Sequence, residues 1–143
     1  MEKKFVDVLV VGAGPAGLAA AIAAKEDGID NLLVIEREHN PGGILRQCIH
    51  NGFGLHRFKE ELTGPEYAQR DIDKAAEMGI EIQTDTTVLS VDGENHLVTC
   101  VSAAKGVEII AEELGIPLEQ VTKCGGKSHL LVGNIQDAMK KED

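Results

Sequence analysis

The chain has 143 residues, with 43% hydrophobic and 27% charged side chains and a formal net charge of −10. That is one domain's length with enough apolar material for a core, as in an ordinary soluble globular protein. The acidic balance opposes a nucleic-acid backbone as partner, because phosphate binding asks for a basic face.

The N-terminus opens on Lys3-Lys4, an apolar stretch and Ala19-Ala20-Ala21, the outline of a signal peptide. Asp7 and the Gly-Pro turn inside the stretch oppose export. The uncharged run from Val8 to Ala24 is short for a membrane span and is broken by glycines and Pro15. Cys48, Cys100 and Cys124 are odd in number and lack C-x-x-C spacing, which fits free thiols in a reducing compartment. A cytoplasmic protein without a membrane span is therefore expected.

In chain order, the apolar run predicts a strand over Phe5 to Val11. Gly12-Ala13-Gly14-Pro15-Ala16-Gly17 follows, then a helix from Pro15 to Asp27 with Gly28 as its C-cap. Leu32 to Glu36 predicts a second strand that ends on an acid. A lone G-x-G-x-x-G is a weak signal, but strand, glycines, helix, strand and acid in this order form the dinucleotide-binding fingerprint. Gly12 suits the tight turn, Gly14 leaves room for a pyrophosphate, and Gly17 lets the helix approach the strand. The helix N-terminus directs free N–H groups and its positive dipole end at phosphate. Glu36 can accept hydrogen bonds from ribose hydroxyls, and it would repel the 2′-phosphate of an NADP-type ligand.

Asn40 to Leu55 reads as a glycine-rich loop. Thr63 reads as the N-cap of a helix that runs to about Met78 and stops at Gly79. Ile80 to Thr84 alternates as a strand, and Thr87 to Asp92 with His96 to Val101 reads as a β-hairpin. Val107 to Leu114 reads as a short helix ended by Gly115. A second helical stretch from Ile116 to Lys123, a strand at Leu130-Leu131-Val132 and a helix from Asn134 complete the chain. Gly126-Lys127-Ser128 lacks the first glycine of a P-loop, since position 121 is Val121. The helix-turn-helix outline at Ala111 to Pro117 sits in an acidic tail unsuited to DNA. No His, Cys and Asp cluster has metal-ligand spacing, so no metal is expected.

The glycine motif near the N-terminus, with Arg37-Glu38-His39-Asn40-Pro41-Gly42-Gly43 after the second strand, resembles the FAD-binding segment of pyridine nucleotide-disulfide oxidoreductase-like flavoproteins. The run Gly42 to Gly54 resembles the flavoproteins that accompany anaerobic glycerol-3-phosphate dehydrogenase-type proteins and opine-oxidase-like enzymes. The resemblance covers roughly residues 4 to 104. It implies an α/β fold: a Rossmann-like parallel sheet with flanking helices and a small β-meander, truncated relative to the family. It implies an FAD/dinucleotide-binding domain at 1–104, with a helical or mixed tail at 105–143. By position, Gly12, Gly14, Ala16 and Gly17 would contact the FAD pyrophosphate, Glu36 would hold the adenosine ribose and Gly42-Gly43 would close the site, with Pro15 and Arg37 also cofactor-binding and Gln47 near the isoalloxazine.

The implied activity moves electrons between a reduced substrate or NAD(P)H and flavin, with a partner subunit or a homo-oligomer as possible context. One departure is decisive. The family's redox cysteines follow the glycine pair as G-G-x-C-x-x-x-x-C, and those positions here are Leu45 and His50. A dithiol relay there is excluded, because exchange needs two thiols within bridging distance. Cys48 as a thiol and His50 as acid or base are the catalytic candidates of this loop, with Gln47 and Asn51 beside them. Such a chain is short for a complete enzyme. The alternative is a non-catalytic ADP- or NAD-binding module, or an inactive fragment.

Overall fold

The computed structural model describes residues 2–112 and 130–131. Its strands are β1 (Glu2–Val6), β2 (Val8–Val11), β3 (Leu32–Ile35), β4 (Glu81–Gln83), β5 (Thr86–Asp92), β6 (Leu97–Ser102), β7 (Gly106–Glu112) and β8 (Leu130–Leu131). Its α-helices are α1 (Pro15–Glu26) and α2 (Gly64–Glu77), with a short 3₁₀ helix at Gly43–Gln47 inside the long loop. The expected Rossmann-like α/β architecture with flanking helices and a meander is present.

The strands form two sheets, in the orders β4-β3-β2-β8 and β1-β7-β6-β5. In the first, β2, β3 and β4 are parallel and β8 runs antiparallel to β2. Alternation across β2 and β3 divides their side chains between two cores. Val8, Val10, Leu32 and Val34 face α1 and α2, where they meet Leu18, Ala21, Ile22 and Ala75. Leu9, Leu33 and Ile35 face the other way and pack with Val6, Val98, Cys100 and Ile110 of the second sheet. The order of layers is therefore helices, parallel sheet, meander sheet. Because β2 and β3 are covered on both faces, they read in sequence as unbroken apolar runs.

Two expectations give way here. The single strand expected over Phe5 to Val11 is two strands in different sheets. Asp7 and Val8 both donate to the Asn31 carbonyl, at 2.9 and 3.3 Å, and Asn31 Nδ2 donates back to the Phe5 carbonyl at 3.1 Å. This clasp turns the chain from one sheet to the other. The helix expected from Val107 is strand β7, which runs past residue 104 and joins β1 on one side to β6 on the other. Val107, Ile110 and Ala111 have helical spacing, and Glu108 breaks the alternation a strand should show. Glu108 is nevertheless on the buried face, 2% exposed, where Gln83 Nε2 donates to its Oε1 at 2.8 Å. A buried, hydrogen-bonded acid hid the strand.

The helices end where local chemistry ends them. The Glu66 amide donates to Thr63 Oγ1 at 3.3 Å and the Thr63 amide donates to Glu66 Oε1 at 3.0 Å, a complete capping box for α2. Those bonds hold the Glu66 carboxyl below the usual carboxylate range. Cys100 is buried at the sheet interface, and burial, then the charge of Glu108, pushes its thiol up. The expected helices over Ile116 to Lys123 and from Asn134, with Val132, Cys124 and the two look-alike motifs' tail residues, lie outside the described residues.

Candidate functional site

The site forms at the C-terminal ends of β2 and β3, where open α/β sheets place their ligands. Gly12 turns the chain from β2 toward α1 at φ +100°, and its amide donates to the Ile35 carbonyl at 2.7 Å. That backbone region penalises a Cβ. A Cβ on Gly17 would stand 1.9 Å from the Gly12 carbonyl oxygen and 3.3 Å from Val10 Cγ1. The first turn of α1 therefore lies directly on the strand-to-helix turn. Among the described residues no side chain caps this helix, and its first turn carries no acid. Its opening N–H groups and positive dipole end are left for a ligand.

Glu36 follows directly on β3 and is 8% exposed. Its Oε1 accepts from the Ala13 amide at 2.9 Å and its Oε2 from the Glu38 amide at 2.8 Å. Its own amide donates to the Gln83 carbonyl at 2.8 Å, and its carbonyl accepts from the Thr86 amide at 3.0 Å. An ionised carboxylate offers about four acceptor positions, so each oxygen keeps one for a hydroxyl donor. The loop after β3 returns onto the glycine motif. The Gly42 amide donates to the Ala13 carbonyl at 2.7 Å, and a Cβ on Gly43 would stand 3.0 Å from Gly14 Cα.

Together these elements line a half-open cavity of about 970 Å³. Gly12, Gly14, Pro15 and Ala16 of the glycine motif line it, together with Val11 and Ile35. Glu36, Arg37, Glu38 and Asn40 form one side, and Gly43, Ile44, Arg46 and Gln47 another. Thr86, Thr87 and Val88 of β5 supply the wall from the second sheet. This volume lies in the range of small-molecule and cofactor sites. The residues fit a dinucleotide: a cradle between glycines that a Cβ would fill, open helix amides, and a fixed carboxylate.

The sequence candidates separate into three groups. Gly12, Gly14, Pro15, Ala16, Glu36, Arg37, Gly43 and Gln47 line the cavity. Gly17 and Gly42 stand behind it, where they permit the close approaches of helix and loop. Cys48 and His50 are not in its lining. Cys48 Sγ donates to the Ile44 carbonyl at 3.5 Å, and the Cys48 carbonyl accepts from the Gly64 amide at 2.8 Å. His50 is exposed, with Nδ1 3.1 Å from the Asn51 carbonyl and its ring 5.3 Å from that of Phe53.

Sequence reading passed over Glu38, Asn40, Ile44, Arg46 and the Thr86 to Val88 segment as cavity residues. Arg46 stood beside the noted glycine pair and could have been found there. The β5 wall had no local signal, because only sheet packing brings it to Glu36.

The loop is fastened to α2 by Arg57. Its guanidinium meets the buried Asp71 carboxylate through two contacts of 2.7 Å, with Tyr67 Oη 3.3 Å away and the Phe58 ring centroid at 4.9 Å. The hydrogen bond to Asp71 raises the Arg57 pKa above the ordinary guanidinium range. Arg70 and Glu60 form a second ion pair across the same junction.

Residues 9–53 match the family described as pyridine nucleotide-disulphide oxidoreductase. The chain is 33% identical over 84 residues to a thioredoxin reductase of Ureaplasma parvum serovar 3, covering 57% of this chain and 25% of that one. It is 29% identical over 141 residues to a thioredoxin reductase of Bacillus subtilis, covering 92% of this chain and 43% of that one. Among solved structures it is similar to L-proline dehydrogenase from P. horikoshii, with a TM-score of 0.64 and 25% identity, over 79% of this chain and 22% of that one. The chain thus spans less than half the length of these relatives. Its likeness is to the nucleotide-binding Rossmann part of such oxidoreductases. Among the described residues no helix is long and apolar enough to cross a membrane.

Proposed function

We propose that this chain is the FAD-binding part of a flavin-dependent oxidoreductase, which moves electrons between a reduced substrate or NAD(P)H and the flavin. The observation that carries the reading is the seating of Gly42-Gly43 on Ala13 and Gly14, above an uncapped α1 and beside the fixed Glu36 carboxylate. The family match over residues 9–53 and the oxidoreductase relatives support it.

In this reading Gly12, Gly14, Ala16 and the amides of α1 face the pyrophosphate, backed by Gly17. Glu36 takes the adenosine ribose hydroxyls on the two acceptor positions its main-chain bonds leave open. Its negative charge disfavours a 2′-phosphate, so an NADP-type ligand is disfavoured in this cavity. When bound, the flavin supplies the redox chemistry. Arg37 lies at the ribose end, and Gln47 closes the phosphate end toward the loop. Along that loop His50 is the candidate proton carrier and Cys48 the candidate thiol, both displaced from the cavity by the geometry above. The run Gly42 to Gly54 points to the subgroup that accompanies anaerobic glycerol-3-phosphate dehydrogenase-type proteins. A cytoplasmic setting, and a partner subunit or second copy completing the enzyme, belong to the same proposal.

The test is a visible absorption spectrum after FAD is added and the excess removed by desalting. The expected outcome is a retained, protein-perturbed flavin band that Glu36→Gln weakens, because the amide presents an NH₂ to one of two main-chain donors. A folded protein that retains no flavin but binds ADP would overturn this reading in favour of the ADP- or NAD-binding module.

A further inference from the structure

We infer that Arg46 is a ligand-binding and specificity residue of the cavity: the cation that selects a nucleotide diphosphate over the uncharged nucleoside. The inference rests on the nucleotide reading above and adds to it a side chain outside the glycine fingerprint.

Two arginines line the cavity, and they are differently placed. Arg37 has Nη2 3.4 Å from Glu38 Oε1, and Glu38 also lines the cavity. Arg46, which lines the cavity, makes no ion pair or side-chain hydrogen bond with another described residue, so its five N–H donors have no partner among them. Its stem has a built seat. Gly42, at φ +123°, leaves the space in which the stem lies, since a Cβ there would stand 2.8 Å from Arg46 Cγ and 3.0 Å from its Cδ. The same Cβ would approach Ala68 of α2 at 3.4 Å, so the stem runs between loop and helix. The Gly42 amide ties this seat to Ala13, and Gly43 rests on Gly14. Arg46 is thereby registered against the uncapped end of α1.

The electrostatics favour such a residue. The chain carries a net charge of −10, and Glu36 and Glu38 both face the cavity. A pyrophosphate brings further negative charge to this acidic setting, and the dipole end of α1 supplies only about half a positive charge. A guanidinium adds a full charge and a fork of donors matched to phosphate oxygens. Adenosine engages Glu36 without needing Arg46.

The experiment is calorimetric titration of the protein with ADP and with adenosine, at low and high salt, for the wild type, Arg46→Ala and Arg46→Lys. Arg46→Ala is expected to weaken ADP by ~10-fold or more, to leave adenosine unchanged, and to flatten the salt dependence. Arg46→Lys, which keeps the charge without the planar fork, is expected to fall between the two. Equal ADP affinity in wild type and Arg46→Ala overturns the inference, as does an equal loss of ADP and adenosine, which would mark a merely structural role. A folded wild type that binds neither ADP nor FAD overturns the nucleotide reading itself, and this inference with it.

Discussion

The parallel sheet and the meander sheet share a core, yet they use their residues differently. Strands β2 and β3 are buried on both faces, by the helices on one side and the second sheet on the other. Strands β5, β6 and β7 bury one face, while Leu89, Val91 and Val107 of β5 and β7 stand exposed. Glycine in the first region is a packing element, as Gly17 and Gly43 show. A Cβ at Gly93 or Gly106, in the turns of the second, would meet nothing within 4 Å. The difference teaches where tolerance ends: around the glycine motif, where Gly17 and Gly43 let backbones approach, a Cβ has no room, whereas the turns of the meander leave space for one.

The largest effect that contrast implies is at Gly17. Gly17→Ala sets a methyl into the Gly12 carbonyl, which is backbone and cannot step aside. A loss of about 3 kcal/mol or more is expected, read as a collapse of the thermal midpoint by circular dichroism. A variant with native stability would show that α1 does not sit as described. The same truncation placed in both sheets sharpens the comparison further. Leu33→Ala, from a fully buried position, is expected to cost about 2–5 kcal/mol in urea unfolding. Leu89→Ala, at 58% exposure, is expected to stay within about 0.5 kcal/mol. Equal costs at the two positions would break the contrast.

Below the expected cost of Leu33→Ala comes Arg57→Ala, which strips the buried Asp71 of its cation. The loss is expected near ~2 kcal/mol, below the 3–5 of a fully buried pair, because Arg57 is partly in water. A double-mutant cycle with Asp71→Asn measures it, and additive single effects would mean that the pair does not couple.

The smallest effect is one of pH. The folded-state pKa of Glu66 lies below the ordinary carboxylate range. Its capping contribution is therefore present above the unfolded pKa and is lost as pH falls through the lowered folded value. Thr63→Ala should flatten this acid-limb dependence of stability while leaving the neutral-to-alkaline limb parallel to wild type. An unchanged acid limb would remove the capping box as its source.

Much of the site was legible in local spacing. Gly12, Gly14 and Gly17 with Glu36 specify a turn, a helix start and an acid at a strand end, all set within a few residues of chain. The capping box at Thr63 and Glu66 is local in the same way. The loop candidates were legible as a group and not in their placement: Gln47 reaches the cavity, and Cys48 and His50 do not. Residues one to three positions apart point in different directions once the chain forms a 3₁₀ turn, and spacing alone does not state that turn.

What the sequence alone determined was the cavity-lining end of the parallel sheet, because its geometry is written in neighbours: glycines where backbones touch, alanines where the helix packs, an acid just after β3. Tertiary structure decided the rest. It broke one apolar run into β1 and β2 at Asp7, and it made the helix-like spacing that begins at Val107 into β7, which is described to Glu112. It also carried Thr86 to Val88 across to face Glu36, and set the Arg46 stem on Gly42 beside Ala68 of α2. The physical reason is the same in each case. An apolar residue carries no record of which surface will cover it, and a buried Glu108 is stable only because Gln83, distant in sequence, donates to it there.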